Sequence, residues 1–222
     1  MKPLALTCLV ICVFVALILG AAWRLRRKGA TAVSVAAADC NGTFQGVVGN
    51  PFRAISLTDS GMHAIWSPPE FAQICDYATW KKQLLDTADI ERHIRAGAMI
   101  PLYLHADGVV AVEIRVGSAA APVVLTEKEN SWVVATSEDY LFVSQGIANL
   151  SGIEYIDGST DPSVKSVQLA PGRYTAKIHL LEAPVSERTP DNLYPPDFLV
   201  LMHPEAGQPV YRTSEDTFTA LP

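Results

Sequence analysis

The sequence predicts an α+β protein in which an N-terminal transmembrane helix precedes a β-rich domain with two short helices near its start. Three observations support this fold class. Residues 4–23 form an apolar run, apolar residues recur at helical spacing between residues 67 and 97, and they alternate with period two from Met99 onward. The expected sheet is a twisted antiparallel sheet, a sandwich or a partly closed barrel.

The apolar run at residues 4–23 is interrupted only by Thr7 and Gly20. At roughly 1.5 Å per helical residue it spans about 30 Å, the thickness of a bilayer's hydrocarbon core. A cleaved secretory signal is the alternative, but the run is longer than a signal's apolar region. A basic flank also follows it directly, as in a stop-transfer segment: Arg24, Arg26, Arg27 and Lys28. We therefore expect residues 1–28 to form a single-pass anchor that contacts the lipid bilayer through residues 4–23.

The basic residues around the span predict its orientation. Four follow the span and only Lys2 precedes it, so the positive-inside rule places the domain in the cytoplasm. An extracytoplasmic domain is the alternative. Cys40 and Cys75 would be free thiols in the first case and a possible disulfide in the second.

The rest of the chain divides into a tether at residues 29–46 and a globular domain at residues 47–222. The tether contains Ala, Val, Ser and Thr and few large side chains. The whole chain is 49% hydrophobic and 18% charged, which excludes a disordered polymer. Its formal net charge is -6, but five of its 17 basic residues precede residue 29, so residues 29–222 carry 12 basic and 23 acidic residues. A domain this acidic repels phosphate backbones, and nucleic acid is therefore not an expected partner.

Two helices are predicted near the start of the domain. Ser67 can cap a first helix whose apolar face includes Phe71, Ile74 and Cys75, and this places Cys75 in the core. A second helix is predicted to begin at the cap residue Asp89 and to stop at Gly97.

Period-two alternation and turn residues predict the strands. A small hairpin is expected at residues 52–66, and a second hairpin joins residues 100–104 to residues 110–116 through Ala106-Asp107-Gly108. Further strands are predicted at residues 123–126, 132–136, 140–143, 167–169, 173–181 and 198–203. In the segment 173–181, Tyr174, Ala176 and Ile178 share one face while polar residues occupy the other, which is typical of antiparallel sheets.

Catalytic motifs are absent from the sequence. It contains no nucleophile elbow, Walker loop, dinucleotide fingerprint, zincin motif or Cys-x-x-Cys pair. His105 and Asp107 are the nearest approach to an acid–base pair, although Asp107 is also a typical turn former before Gly108. An enzyme assembled from distant loops would draw on His105, Asp107 and His203.

The sequence predicts neither a metal nor a cofactor. The five histidines are scattered, with no pair at the spacing that lets one element supply two ligands. Asp157 and Asp161, with Glu154 nearby, offer oxygen ligands, but they lack the regular ligand spacing of a calcium loop and fit a polar turn.

A protein partner is the remaining expectation. Aromatic residues beside acids are typical of interface hot spots, and the candidates are Tyr140, Phe142, Tyr194, Glu138 and Asp139. The acidity favours a basic partner. The sequence thus favours a membrane-tethered, non-catalytic domain that binds another protein as an accessory or inhibitor subunit. A membrane-anchored hydrolase-like enzyme and a passive envelope component are the alternatives.

Overall fold

The computed structural model describes residues 50–118, 120–157, 161–188 and 193–219. The predicted span at residues 4–23, its basic flank, the tether and Cys40 lie outside these ranges. Within them, no helix is both long and apolar enough to cross a bilayer.

The described chain is a β-rich α+β domain built on one open sheet with few helices. The strand order is β1-β4-β8-β7-β6-β2-β3, and β5 pairs with β7. This confirms the α+β class and the helices near the domain's start. The strands are β1 (Phe52–Thr58), β2 (Met62–Trp66), β3 (Met99–Tyr103), β4 (Gly108–Val116), β5 (Val133–Thr136), β6 (Tyr140–Gly152), β7 (Lys165–Leu181) and β8 (Phe198–Pro204).

The sheet is mixed, whereas the sequence predicted an antiparallel sheet. β4 and β8 are parallel, with Val112 opposite Phe198, and every other described strand pair is antiparallel. The first five residues of β8 are all buried. Such a continuous apolar run is typical of a strand covered on both faces. Phe198 and Val200 pack into the main core on one face, and Leu199 packs into a smaller apolar cluster on the other.

Both predicted hairpins are wrong. β1 pairs with β4 instead of β2, and β2 pairs with β3 and β6. All five residues of β2 are buried, whereas alternate residues of β1 are exposed. A strand that is buried throughout is more stable between two neighbours, and β2 occupies that position while β1 lies at the sheet's edge.

Two other strand predictions also require correction. Residues 123–126 form no strand, because they lead instead into the short helix α3 (Glu127–Asn130), where Thr126 is the cap.

Residues 167–169 and 173–181 belong to the single strand β7, so Pro171-Gly172 does not interrupt it. Gly172 has a φ of 156°, and the opposite strand β6 is irregular between Ser144 and Gly146. An irregularity of this kind locally bends and twists a strand without ending its pairing.

The first helix begins later than predicted, at α1 (Tyr77–Leu84). Pro68–Phe71 forms a separate 3-10 turn, and Asp76 starts α1 through a capping box with Thr79. The break leaves Cys75 exposed, which corrects its predicted place in the core. The second helix, α2 (Thr87–Arg95), begins after the cap residue Asp86, three residues before the predicted cap Asp89. It stops before Gly97 as predicted, and that glycine has a φ of 75°.

Side chains pack on both faces of the sheet. The main core includes Ile65, Ile100, Phe142, Ile178 and Phe198, each fully buried or nearly so. A smaller cluster on the opposite face is covered by the segments around Trp132 and Tyr194: Trp132, Leu181, Ala183, Leu199 and Leu201.

Candidate protein-binding surface

The edge strand β1 and its neighbour β4 carry three pairs of residues on the face opposite the main core. The register places Arg53 opposite Glu113, Ile55 opposite Ala111, and Leu57 opposite Val109. Successive side chains of a strand point to opposite faces, so these pairs share one face. The intervening residues of β1, Ala54, Ser56 and Thr58, are buried.

Three apolar side chains of this face are exposed, and we call them the apolar ladder: Ile55, Leu57 and Val109. Their exposed fractions are 39%, 36% and 59%. A single exposed aliphatic residue is ordinary on a protein surface. Leu57 and Val109, however, are directly opposite each other, and Ile55 lies two residues from Leu57 on the same face, so the three form a contiguous patch. The ladder is therefore a candidate contact surface for a protein.

Paired charges lie at one end of the apolar ladder. Arg53 Nε donates to Glu113 Oε2 at 2.5 Å, and Arg115 Nε donates to Glu113 Oε1 at 2.5 Å. Arg115 also makes a two-point ion pair with Glu129, which includes a 3.0 Å hydrogen bond from Nη1 to Oε2. The two carboxylates are buried, so each has the charged donors that burial requires.

Burial opposes ionisation of Glu129, but hydrogen bonds from Arg115 and from the backbone N–H of Thr126 outweigh it and lower the pKa of this carboxyl to about 2. The group is consequently ionised at neutral pH. This network holds the segment before β5 against β4 and makes this end of the surface rigid.

Acidic residues lie at the other end of the two strands, where Thr58 is opposite Gly108. Asp59 follows β1, Asp107 precedes β4, and both are exposed. The Glu154 carboxylate accepts hydrogen bonds here from the Asp59 backbone N–H at 2.7 Å and from Thr58 Oγ1 at 3.0 Å. An apolar patch with acids at one end is electrostatically suited to a basic partner.

Two of the predicted interface residues, Tyr140 and Phe142, are fully buried in the main core. This corrects the expectation that they are surface anchors. The Tyr140 hydroxyl donates to the backbone oxygens of Ser214 and Asp216, and burial raises the pKa of Tyr140 to about 12. Residues i and i+2 of a strand share a face, and Tyr140 and Phe142 both lie on the face of β6 that packs into the main core.

The other three predicted interface residues are near the surface. Glu138 forms an ion pair with Arg212, and Asp139 forms one with Lys177. Tyr194 is half-buried against Trp132, its hydroxyl donates to Glu129 at 3.3 Å, and the Arg53 guanidinium lies 5.1 Å from its ring centre. Tyr194 therefore contacts the charged end of the ladder.

The three residues that a catalytic site was predicted to use, His105, Asp107 and His203, do not lie together. His105 Nε2 lies 3.0 Å from the Asp216 carboxylate and is not paired with Asp107. A Cβ on Gly117 would lie 2.8 Å from His203 Nδ1, so His203 is near the far end of β4 from Asp107. The nine residue steps from Gly108 to Gly117 span about 30 Å.

His203 instead lines an open pocket of about 330 Å³ on the opposite face from the main core. The Lys177–Asp139 ion pair, at 3.2 Å, lies in the same pocket. The remaining lining residues are Thr175, Leu201, Pro204, Ala206 and Pro209. In the described ranges, no group of three or more His, Cys, Asp or Glu side chains is arranged to hold a metal ion.

Sequence reasoning missed the apolar ladder because the alternation in β1 indicates the opposite orientation. Ile55 and Leu57 alternate with Ser56 and Thr58, a pattern that predicts the apolar pair inside. Ser56 and Thr58 are buried because they have partners, His63 for Ser56 and Glu154 for Thr58. Nothing in the local sequence indicates those partners.

Comparison with known proteins identifies no family. No protein-family model matches the chain, and no curated protein matches its sequence. A solved structure described as "Crocagin biosynthetic gene J" is similar, with a TM-score of 0.43 and 15% identity over 70% of this chain and 96% of that one. The crystal structure of ComJ, described as an inhibitor of the DNA degrading activity of NucA, from Bacillus subtilis, is similar with a TM-score of 0.40 and 10% identity over the same shares. Similarity of this extent establishes neither a shared function nor a shared partner.

Proposed function

We propose that this chain is a membrane-tethered, non-catalytic accessory domain that binds a basic protein through the apolar ladder. The single observation that carries the proposal is the exposure of Ile55, Leu57 and Val109 as one patch on an acidic domain. The tether is the sequence-based part of the proposal and rests on the apolar run at residues 4–23. An inhibitor subunit is the more specific form, because a domain that covers a basic surface of its partner also blocks what that surface would otherwise bind.

The apolar ladder is small, so other residues must also contribute to the contact with the partner. Full burial of an aliphatic side chain contributes roughly 1.5–3 kcal/mol, so covering the exposed parts of these three contributes about 3 kcal/mol. Asp59 and Asp107 would add electrostatic attraction, which acts mainly on the association rate. The partner is therefore expected to present aliphatic or aromatic side chains next to Lys or Arg.

Site-specific photo-crosslinking tests the proposal in cells that produce the chain naturally. A benzophenone amino acid replaces Val109, and matched controls carry it at Val185 or Val210, which are 86% and 94% exposed but distant from the ladder in sequence. We expect one dominant protein adduct from position 109, with a basic surface, that neither control gives. Leu57→Asp should abolish the adduct, and Asp107→Asn should reduce its yield. Equal adducts at all three positions, or none at position 109, would show that the ladder binds no protein.

A further inference from the structure

The exposed face of α1 combines aromatic, aliphatic and basic side chains. Tyr77, Lys81 and Leu85 follow one another at i, i+4 and i+8, so they form one row along the helix and onto its C-cap. Tyr77 is 61% exposed and Leu85 is 48% exposed. Lys82 is exposed beside this row, and the opposite side of the helix buries Leu84.

The aromatic part of this face is held in place by the core. The rings of Tyr77 and Trp80 stack with centres 6.0 Å apart and planes 10° apart. Trp80 is half-buried against the main core, and its Nε1 donates to the backbone oxygen of Ile153 at 2.9 Å. Tyr77 is therefore presented on a rigid support, so little side-chain freedom would be lost on binding.

The lysines of α1 differ from most basic residues of this domain. The described ranges contain all 12 basic residues of residues 29–222, and eight of them form ion pairs with carboxylates. Lys81 and Lys82 belong to the four that form no ion pair within the described ranges. Two adjacent unpaired ammonium groups form a local positive site on a domain whose overall charge is negative, so they suit an anionic surface that meets only this face.

We propose that this face of α1 lies on the anionic headgroups of the membrane. Lysine is depleted in protein–protein interfaces, whereas Tyr, Trp and Lys are all enriched where a protein meets the bilayer surface. The exposed side chains of Tyr77 and Leu85 reach the headgroup boundary, and the two ammonium groups contact lipid phosphates. The proposed anchor serves here only to bring the domain to the bilayer, and the inference is independent of the apolar ladder.

Cys75 offers a native reporter position, since it is exposed directly before the Asp76 cap of α1. The full chain, with Cys8, Cys12 and Cys40 replaced by Ala, is spin-labelled at Cys75 and inserted into lipid nanodiscs. The discs contain either phosphatidylcholine alone or a mixture with phosphatidylglycerol. Collision of the label with a water-soluble relaxing agent measures its exposure to solvent. A matched control carries Cys75→Ser and the label at Val210→Cys.

We expect the anionic discs to reduce the accessibility of the Cys75 label at least about two-fold, with no change at position 210. The exposed double substitution Lys81→Glu and Lys82→Glu should restore accessibility, and a cooperative unfolding transition should show that the variant still folds although the last turn of α1 favours positive charge. Equal accessibility in the two kinds of disc would overturn the inference. So would protection that appears only when another protein is added, because α1 would then be a protein interface. Failure of the chain to insert into discs would instead contradict the anchor.

Discussion

His63 and Ser56 form a buried pair in which the histidine Nδ1 lies 2.9 Å from the serine Oγ. The two residues belong to β2 and β1, which share no backbone pairing. Both side chains are almost entirely inaccessible to water. Burial lowers the pKa of His63 from 6.5 to about 4, so the imidazole is neutral in the folded protein at neutral pH.

The first prediction is a loss of stability in mild acid. Above about pH 6.5 His63 is neutral in both states, and between pH 6.5 and 4 the unfolded chain takes up a proton that the folded chain does not. We expect the free energy of unfolding to fall across this range by up to about 3 kcal/mol from His63. Denaturant titrations from pH 7.5 to 4 measure it. His63→Gln should flatten the curve, and an unchanged pH dependence in this variant would contradict the assignment.

The second prediction concerns the buried carboxylate of Glu129. Glu129→Gln removes the charge that pairs with Arg115, and we expect the free energy of unfolding to fall by about 3 kcal/mol. Glu127→Gln is the matched control on the same short helix, and because Glu127 is exposed it should cost less than about 0.5 kcal/mol. Similar costs for the two variants would mean that the ion-pair network does not hold this segment.

The third prediction compares two neighbours, Ile74 and Cys75. Ile74 is fully buried and Cys75 is exposed. Ile74→Ala should cost about 2–4 kcal/mol, whereas Cys75→Ser should change stability by less than about 0.5 kcal/mol. The folded protein should also react at Cys75 with a thiol reagent without denaturant. If the thiol of Cys75 reacted only after unfolding, Cys75 would be buried in the core, contrary to the structure.

The fourth prediction concerns the attachment of the C-terminal segment to β3. Thr217 Oγ1 accepts a hydrogen bond from the Tyr103 backbone N–H at 2.7 Å and donates to the Pro101 carbonyl at 3.0 Å. Thr217→Val preserves the shape of the side chain but leaves both backbone groups unpaired, at a cost of about 2 kcal/mol. The control Thr219→Val alters an exposed residue and should be nearly neutral. Equal unfolding midpoints for both variants would contradict the attachment.

The sequence predicted those parts of the fold whose cause is local. The alternation in β7 indicates its buried face correctly at Tyr174, Ala176 and Ile178, because that face of this segment packs on the main core. The end of α2 at Gly97 is equally local. Strand pairing is not local: β1 pairs with β4 and not with its neighbour in sequence, and turn residues alone do not decide between these partners.

The candidate site depends on contacts that are distant in sequence. Glu154 is 96 residues from Thr58, and its hydrogen bond allows a threonine to face inward and a leucine outward. The expected pair of His105 and Asp107 fails for the same reason, since Asp216 supplies the carboxylate from the C-terminal segment.

The central position of β8 determines the order in which the sheet can be completed. Among the described strands β8 is synthesised last, yet it joins β4 to β7. Until it emerges from the ribosome, the pair β1–β4 and the group β7-β6-β2-β3 each present a strand edge with unpaired backbone groups. Open edges of this kind recruit other chains, so the nascent protein is most prone to aggregation just before its last strand is made. Prompt insertion of β8 therefore protects the new chain as well as completing its core.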